Sequence, residues 1–144
     1  MPYAYADDIA ISDVAFRAWG ATLEEVFMAA ADATMQTMVD DLDTLALQEQ
    51  RVFEVRHDAL DLLLLNFLQE FIYYKDAQGL LVRVTEVEIT RDKSAGYVVR
   101  ARVAGEPLDP NKHALAADVK GVTLHRLQVV ETPDGWEATV ILDV

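Results

Sequence analysis

Cysteine is absent from this chain of 144 residues, which excludes disulfides, thiolate metal centres and a cysteine nucleophile. Glycine is sparse, and its six copies are scattered. None stands in a GxGxxG or GxxxxGK arrangement, so no glycine-rich loop is available to cradle a phosphate, and no GxSxG elbow is present. The three histidines, His57, His113 and His125, lack the i, i+4 pairing of a helical zinc site. No basic segment followed by an apolar run opens the chain, so no leader is expected. The most apolar stretch, Ala59 to Tyr74, is shorter than a bilayer span and is broken by Asp61, Asn66, Gln69 and Glu70. These absences together predict a single domain over residues 1–144, cytoplasmic and without a membrane anchor.

Positive charge is also scarce. Twelve Lys and Arg stand against 25 Asp and Glu, for a net charge of −13. A phosphate backbone is held by clustered Lys and Arg, and in this sequence those residues are spread singly. Strong direct nucleic-acid binding is therefore not expected. If such a chain serves RNA chemistry, it does so through a basic protein partner or through a cation; the alternative is that the acidity only confers solubility.

What is present is a change of period. Val14 to Trp19 reads as a strand closed by Gly20. Thr22-Leu23-Glu24-Glu25 is a capping box opening a helix to about Val39, with Asp40-Asp41-Leu42-Asp43 as its acidic exit. That exit is no calcium loop, because Ala46 and Val52 stand where a glycine and a bidentate glutamate are needed. Gln50 to Arg56 is a strand, and Asp58 is the expected cap of a second helix. Twelve of the sixteen residues from Ala59 to Tyr74 are apolar, so this helix must be covered on two sides. From Leu80 the period becomes two. Leu80–Thr90 is one strand, and Tyr97, Val99, Ala101 and Val103 line a face of the next. Val119 to Val130 holds one long or two short strands. Thr132-Pro133-Asp134-Gly135 is a turn, and the last strand alternates Trp136, Ala138, Val140 and Leu142 with Glu137, Thr139, Ile141 and Asp143. The expected fold is α+β, with two helices on a mostly antiparallel sheet.

Three features carry candidate chemistry. Asp13 stands just before a strand. Asp143 stands next to Val144, whose carboxylate makes a second negative group, and hard cations take such oxygens; the alternative is a turn cap and a frayed end. The segment Gly105 to His113, with Pro107 and Pro110, reads as an ordered loop. After it, alternation sets Lys120, Val122 and Leu124 on one face and Gly121, Thr123 and His125 on the other. Lys, His and acids here form either a proton-transfer site or surface ion pairs.

Four segments occur in an order that resembles the archease family. They are Asp13-Val14-Ala15-Phe16-Arg17-Ala18-Trp19-Gly20 with the Leu23-Glu24-Glu25-Val26-Phe27 helix start; Leu62 to Gly79 with Gly79-Leu80-Leu81; Gly105-Glu106-Pro107-Leu108-Asp109-Pro110 with Lys112-His113; and Val119-Lys120-Gly121-Val122-Thr123-Leu124-His125. The ending Val140-Ile141-Leu142-Asp143-Val144 is similar to the family's Val-Ile-Leu-Asp-Ile. The resemblance implies an activator of an RtcB-type RNA ligase, which joins RNA ends with GTP and Mn²⁺, rather than the ligase itself. It implies that the protein promotes guanylylation of the ligase and allows multiple turnovers. It also implies a divalent-metal site, calcium first with manganese or magnesium as alternatives, at Asp13, Asp143 and Val144. Lys120 is implied as functional, with His125 and Asp109 as further candidates for activating the partner. The chain departs from the family's Glu-His-Thr-Ala-Asp, reading Ile9-Ala10-Ile11-Ser12-Asp13, and Ala15 replaces a usual glycine. Two other readings stand beside this one: a small metal-dependent enzyme using Asp13, Asp143, Lys120 and His125, and a chaperone-like module with an exposed apolar surface.

Overall fold

The computed structural model describes residues 2–6, 13–94 and 96–144. Eight strands and two α-helices follow in the order β1 (Tyr3–Tyr5), β2 (Val14–Gly20), α1 (Leu23–Met38), β3 (Glu49–His57), α2 (Leu60–Gln78), β4 (Leu80–Asp92), β5 (Gly96–Pro107), β6 (Gly121–Val122), β7 (Gln128–Thr132) and β8 (Gly135–Asp143). The expected single sheet is divided into two. A five-stranded antiparallel sheet runs β1-β2-β8-β6, with β7 also paired to β8, and a three-stranded one runs β3-β5-β4. The strands β6 and β7 share one edge of β8, which pairs with β6 at Leu142 and Asp143 and with β7 from Gly135 to Thr139.

The helices fill the space between the sheets. In α1 the Thr22 hydroxyl accepts from the Glu25 amide at 3.2 Å, as the capping box requires. The Glu25 carboxylate reaches back one residue further than expected, to the Ala21 amide at 2.7 Å. The start of α2 differs from expectation. Its cap is Ala59 with no side-chain bond of its own, and the Ala59 amide is taken up by Nδ1 of His57 at 3.0 Å. Gly79 ends α2 in a left-handed conformation at φ 61°, as an L side chain rarely can.

The apolar surplus of α2 has its outlet. It buries Leu63, Leu64, Phe67, Leu68, Phe71 and Ile72. It touches β3, β4 and β5 of the smaller sheet and β6 and β7 of the larger one. Phe67 sits at the junction, its ring 5.3 Å from Phe27 of α1, 5.8 Å from Phe53 of β3 and 5.2 Å from Phe71.

Gly105-Glu106-Pro107 belongs to β5 rather than to a loop. Gly105 pairs with Glu49 on one side and Val82 on the other. A Cβ at this glycine would lie 1.8 Å from the Leu81 carbonyl oxygen, so only glycine permits the approach. Pro107 pairs with Leu80 at the last position of the strand, where proline is tolerated.

Candidate functional site

The pairing of β2 with β8 brings the segments next to the two candidate aspartates side by side. Its last pair is Val14 with Leu142. Asp13 directly precedes Val14 and Asp143 directly follows Leu142, so the two residues lie at the same end of this pair of strands. On the far side of β8, β6 pairs Gly121 with Asp143, and the Lys120 amide donates to the Asp143 carbonyl at 2.7 Å. Val144 packs its side chain against the main core, which holds the chain end at this place. Asp13, Asp143, the Val144 carboxylate and Lys120 thus share one end of the larger sheet. The substituted segment Ile9 to Ser12, Ala10 included, lies outside the described residues.

Among the described residues, neither the Asp13 nor the Asp143 carboxylate takes a hydrogen bond or ion pair. One row further in, the buried Thr123 hydroxyl also has no partner among them. No group of three or more His, Cys, Asp or Glu side chains among the described residues is arranged to hold a metal. The set therefore depends on the main-chain carboxylate as its third donor. In donor chemistry it fits a hard cation, since every ligand is an oxygen and three are formally anionic.

The other candidates fall differently. Of the acids near Lys120, Asp118 is hydrogen-bonded by Lys75 of α2. That bond and the Lys75 charge hold the Asp118 carboxyl below its ordinary range, with a smaller contribution from Lys120. Lys75 is the better partner because its side chain is largely buried, also donates to the Val119 carbonyl at 3.2 Å and pairs with Asp76 at 3.1 Å. Lys120 is left exposed without an ion pair among the described residues. His125 is exposed in the turn closed by the Leu127 amide on the Leu124 carbonyl. Among the described residues no hydrogen bond joins its side chain to Lys120 or Asp143. The expected alternation also lapses here. Only Gly121 and Val122 are strand, and Leu124 is 69% exposed. Asp109 is a turn residue, accepting from the Asn111 amide at 2.9 Å while its own amide donates to Nδ1 of His113.

A charged cluster that the sequence leaves unresolved lies beside Asp109. His113 is buried, and its Nε2 lies 3.0 Å from the Glu106 carboxylate. The same carboxylate accepts from the Ala46 amide at 2.8 Å and from Nζ of Lys112. It ties the loop after β5 to the segment before β3. The Ala46 amide first, then Lys112 and His113, lower the Glu106 pKa from 4.5 to about 2. A carboxyl whose pKa is depressed on folding stabilises the fold above its unfolded value and loses that contribution as pH falls. Stability should therefore decline as pH falls from about 4.5 toward about 2. Glu106→Gln should be less stable at neutral pH and show a flatter profile in that window. Thermal melts across the window check this; parallel profiles for the two proteins would refute it. The spacing Glu106-x₅-Lys112-His113 is the only trace of the cluster in the sequence, and spacing alone does not reveal burial.

Among the described residues Tyr5, Trp19, Leu47, Val52, Tyr73, Leu115, Leu124 and Val130 are large hydrophobic side chains left exposed, and exposed apolar residues are ordinary on a protein surface. One apolar cleft of about 200 Å³ lies between Met38, Leu81, Leu108 and Leu115. No helix among the described residues is long and apolar enough to cross a membrane.

Comparison with known proteins yields one family. The profile described as "Archease protein family (MTH1598/TM1083)" matches residues 3–144. The archease of Pyrococcus abyssi is 37% identical over 134 residues, covering 92% of this chain and 93% of that protein. The archease of Methanosarcina barkeri is 30% identical over 142 residues, or 99% and 95% of the two chains. The solution structure of Methanobacterium thermoautotrophicum protein 1598 superposes with a TM-score of 0.84 at 28% identity, covering 99% of each chain. A Thermotoga maritima protein described as an archease, possible chaperone, superposes at 0.64 with 15% identity, covering 94% of this chain and 93% of that one, and shares the fold.

Proposed function

The chain belongs to the archease family, and on that premise we propose that it is an accessory protein of an RtcB-type RNA ligase. In this reading it promotes guanylylation of the ligase and repeated turnover, and does not itself join RNA. The observation that carries the reading is the convergence of Asp13, Asp143, the Val144 carboxylate and Lys120 at one end of the sheet, where an acidic surface can dock on a basic, RNA-binding enzyme. Asp13, Asp143 and Val144 would hold the divalent cation, calcium before manganese or magnesium. A bound cation supplies concentrated positive charge at an otherwise acidic edge. Lys120, unpaired next to that edge, is the group free to meet the partner, with His125 and Asp109 as further candidates.

The test is catalytic stoichiometry. Added in amounts well below those of a cognate ligase, the protein should raise the number of RNA ends joined per ligase molecule. Unchanged turnover, or ligation by this protein alone, would dismiss the reading.

Lys120→Ala sharpens it. An exposed charge contributes about 0.2–1 kcal/mol at most, so the melting curve should hardly move. Activation of the ligase should fall at least severalfold. Lost stability with intact activation would assign Lys120 a structural role instead.

A further inference from the structure

The outer face of the five-stranded sheet holds a second, differently charged site. Register sets Ala4, Arg17, Thr139 and Gln128 in one row across β1, β2, β8 and β7. Arg17, Thr139 and Gln128 line a cleft of about 350 Å³ with Arg126, Leu127 and Glu137. The next row is Trp19, Glu137 and Val130. Trp19 is 41% exposed and Val130 39% exposed there.

The arginines make this cleft unlike the rest of the surface. Arg51, Arg56, Arg83, Arg100 and Arg102 each pair with a carboxylate, and Arg91 lies over the Tyr97 ring. Arg17 and Arg126 do neither among the described residues, although acids outnumber bases 25 to 12. Both line the same cleft. Arg126 is held there at φ 57°, and no other non-glycine residue has a positive φ among those described. Such a conformation is uncommon for a long side chain and costs on the order of 1 kcal/mol.

We propose that this cleft binds the phosphate of a small phosphate monoester, with a nucleoside monophosphate as the fitting class. The two guanidinium groups take the phosphate oxygens in charge-assisted hydrogen bonds. The Gln128 amide and Thr139 hydroxyl supply further polar contacts. Trp19 lies two residues along β2 from Arg17, about 7 Å on the same face, and offers its ring to the base. Glu137 and the net charge of −13 disfavour a polynucleotide or a polyphosphate, which would bring several negative charges to one place. This inference is independent of the ligase reading.

The test is titration of the full chain with AMP, inorganic phosphate, adenosine and a 5′-phosphorylated oligonucleotide. Amide shifts of Arg17, Gln128 and Thr139 and the Trp19 fluorescence, assigned with Trp19→Phe, report binding. AMP should bind more tightly than phosphate, adenosine or the oligonucleotide. Arg126→Gln and Arg17→Gln should each weaken AMP by about tenfold, and Arg91→Gln should leave it unchanged. Glu137→Gln should tighten it. Arg126 lies in an exposed turn, so its variant carries the test even if the strand variant fails to fold. No AMP binding, equal binding by Arg126→Gln, weaker binding by Glu137→Gln, or preference for the oligonucleotide would overturn the proposal.

Discussion

Asp143→Asn is expected to weaken calcium and manganese binding by about tenfold or more, because a hard cation loses affinity as the charge of its ligands drops. Asp13→Asn should do the same, since Asp13 adjoins Val14, which pairs with Leu142 next to Asp143. The two effects should be less than additive, because both act on one ion. Appending a single residue to Val144 turns its carboxylate into an amide carbonyl and moves the charge about 3.5 Å along the chain. Binding should fall although both aspartates remain. Calorimetric titration of the parent, the two single variants, the double variant and the extended chain with each metal decides the matter. Equal affinity with and without the added residue removes Val144 from the ligand set, and no affinity in the parent chain removes the site. Thr139 and Ile141, buried on the same strand, make poor controls. Glu131, exposed on β7, is a better one: Glu131→Gln should bind metal as the parent does.

Phe67→Ala should cost about 3–5 kcal/mol of stability, the range for removing a fully buried aromatic side chain. Phe67 has no exposed surface, and its ring is surrounded by those of Phe27, Phe53 and Phe71, drawn from α1, β3 and α2 itself. These partners belong to elements with little freedom to close the void, because α2 is held between the two sheets. A chain of this length should lose about 10 °C or more in Tm. Urea unfolding of the variant gives the free energy directly. A loss below about 1 kcal/mol would mean that the two layers collapse around the cavity, and that the junction is softer than its packing indicates.

Much of the local structure is legible in the residues. The Thr22–Glu25 box, Gly79 at the end of α2 and the Thr132–Gly135 turn are signals whose cause lies within a few positions, so neighbouring chemistry decides them. The alternation of β3 is similarly readable, because a strand with one covered face leaves a period of two, whereas β8 is buried on both faces from Ala138 to Leu142. Asp58 misled as a cap because the helix begins one residue later, with Ala59 in the cap position and its amide held by His57. Gly105 to Pro107 was obscured by its prolines. They mark irregular backbone in general, yet a strand end accepts one.

The candidate site divides along the same line. The sequence by itself determined the donor types, acids at both ends of the chain with no thiol and no clustered histidine, and it determined the acidity that turns the surface toward cations and basic partners. Only the tertiary structure decided that the segments next to Asp13 and Asp143 run side by side, because they are far apart in the chain and are joined by the register of β2 on β8. It also decided that Asp118 goes to Lys75 and leaves Lys120 free. It decided that Glu106 and His113 are buried together, and that the two arginines without carboxylates line one cleft. The physical reason is range. Turns, caps and periods follow from interactions within a few residues. Which charges neutralise one another depends on contacts between distant segments, and hydrophobic burial sets those while being indifferent to the polar groups it carries along.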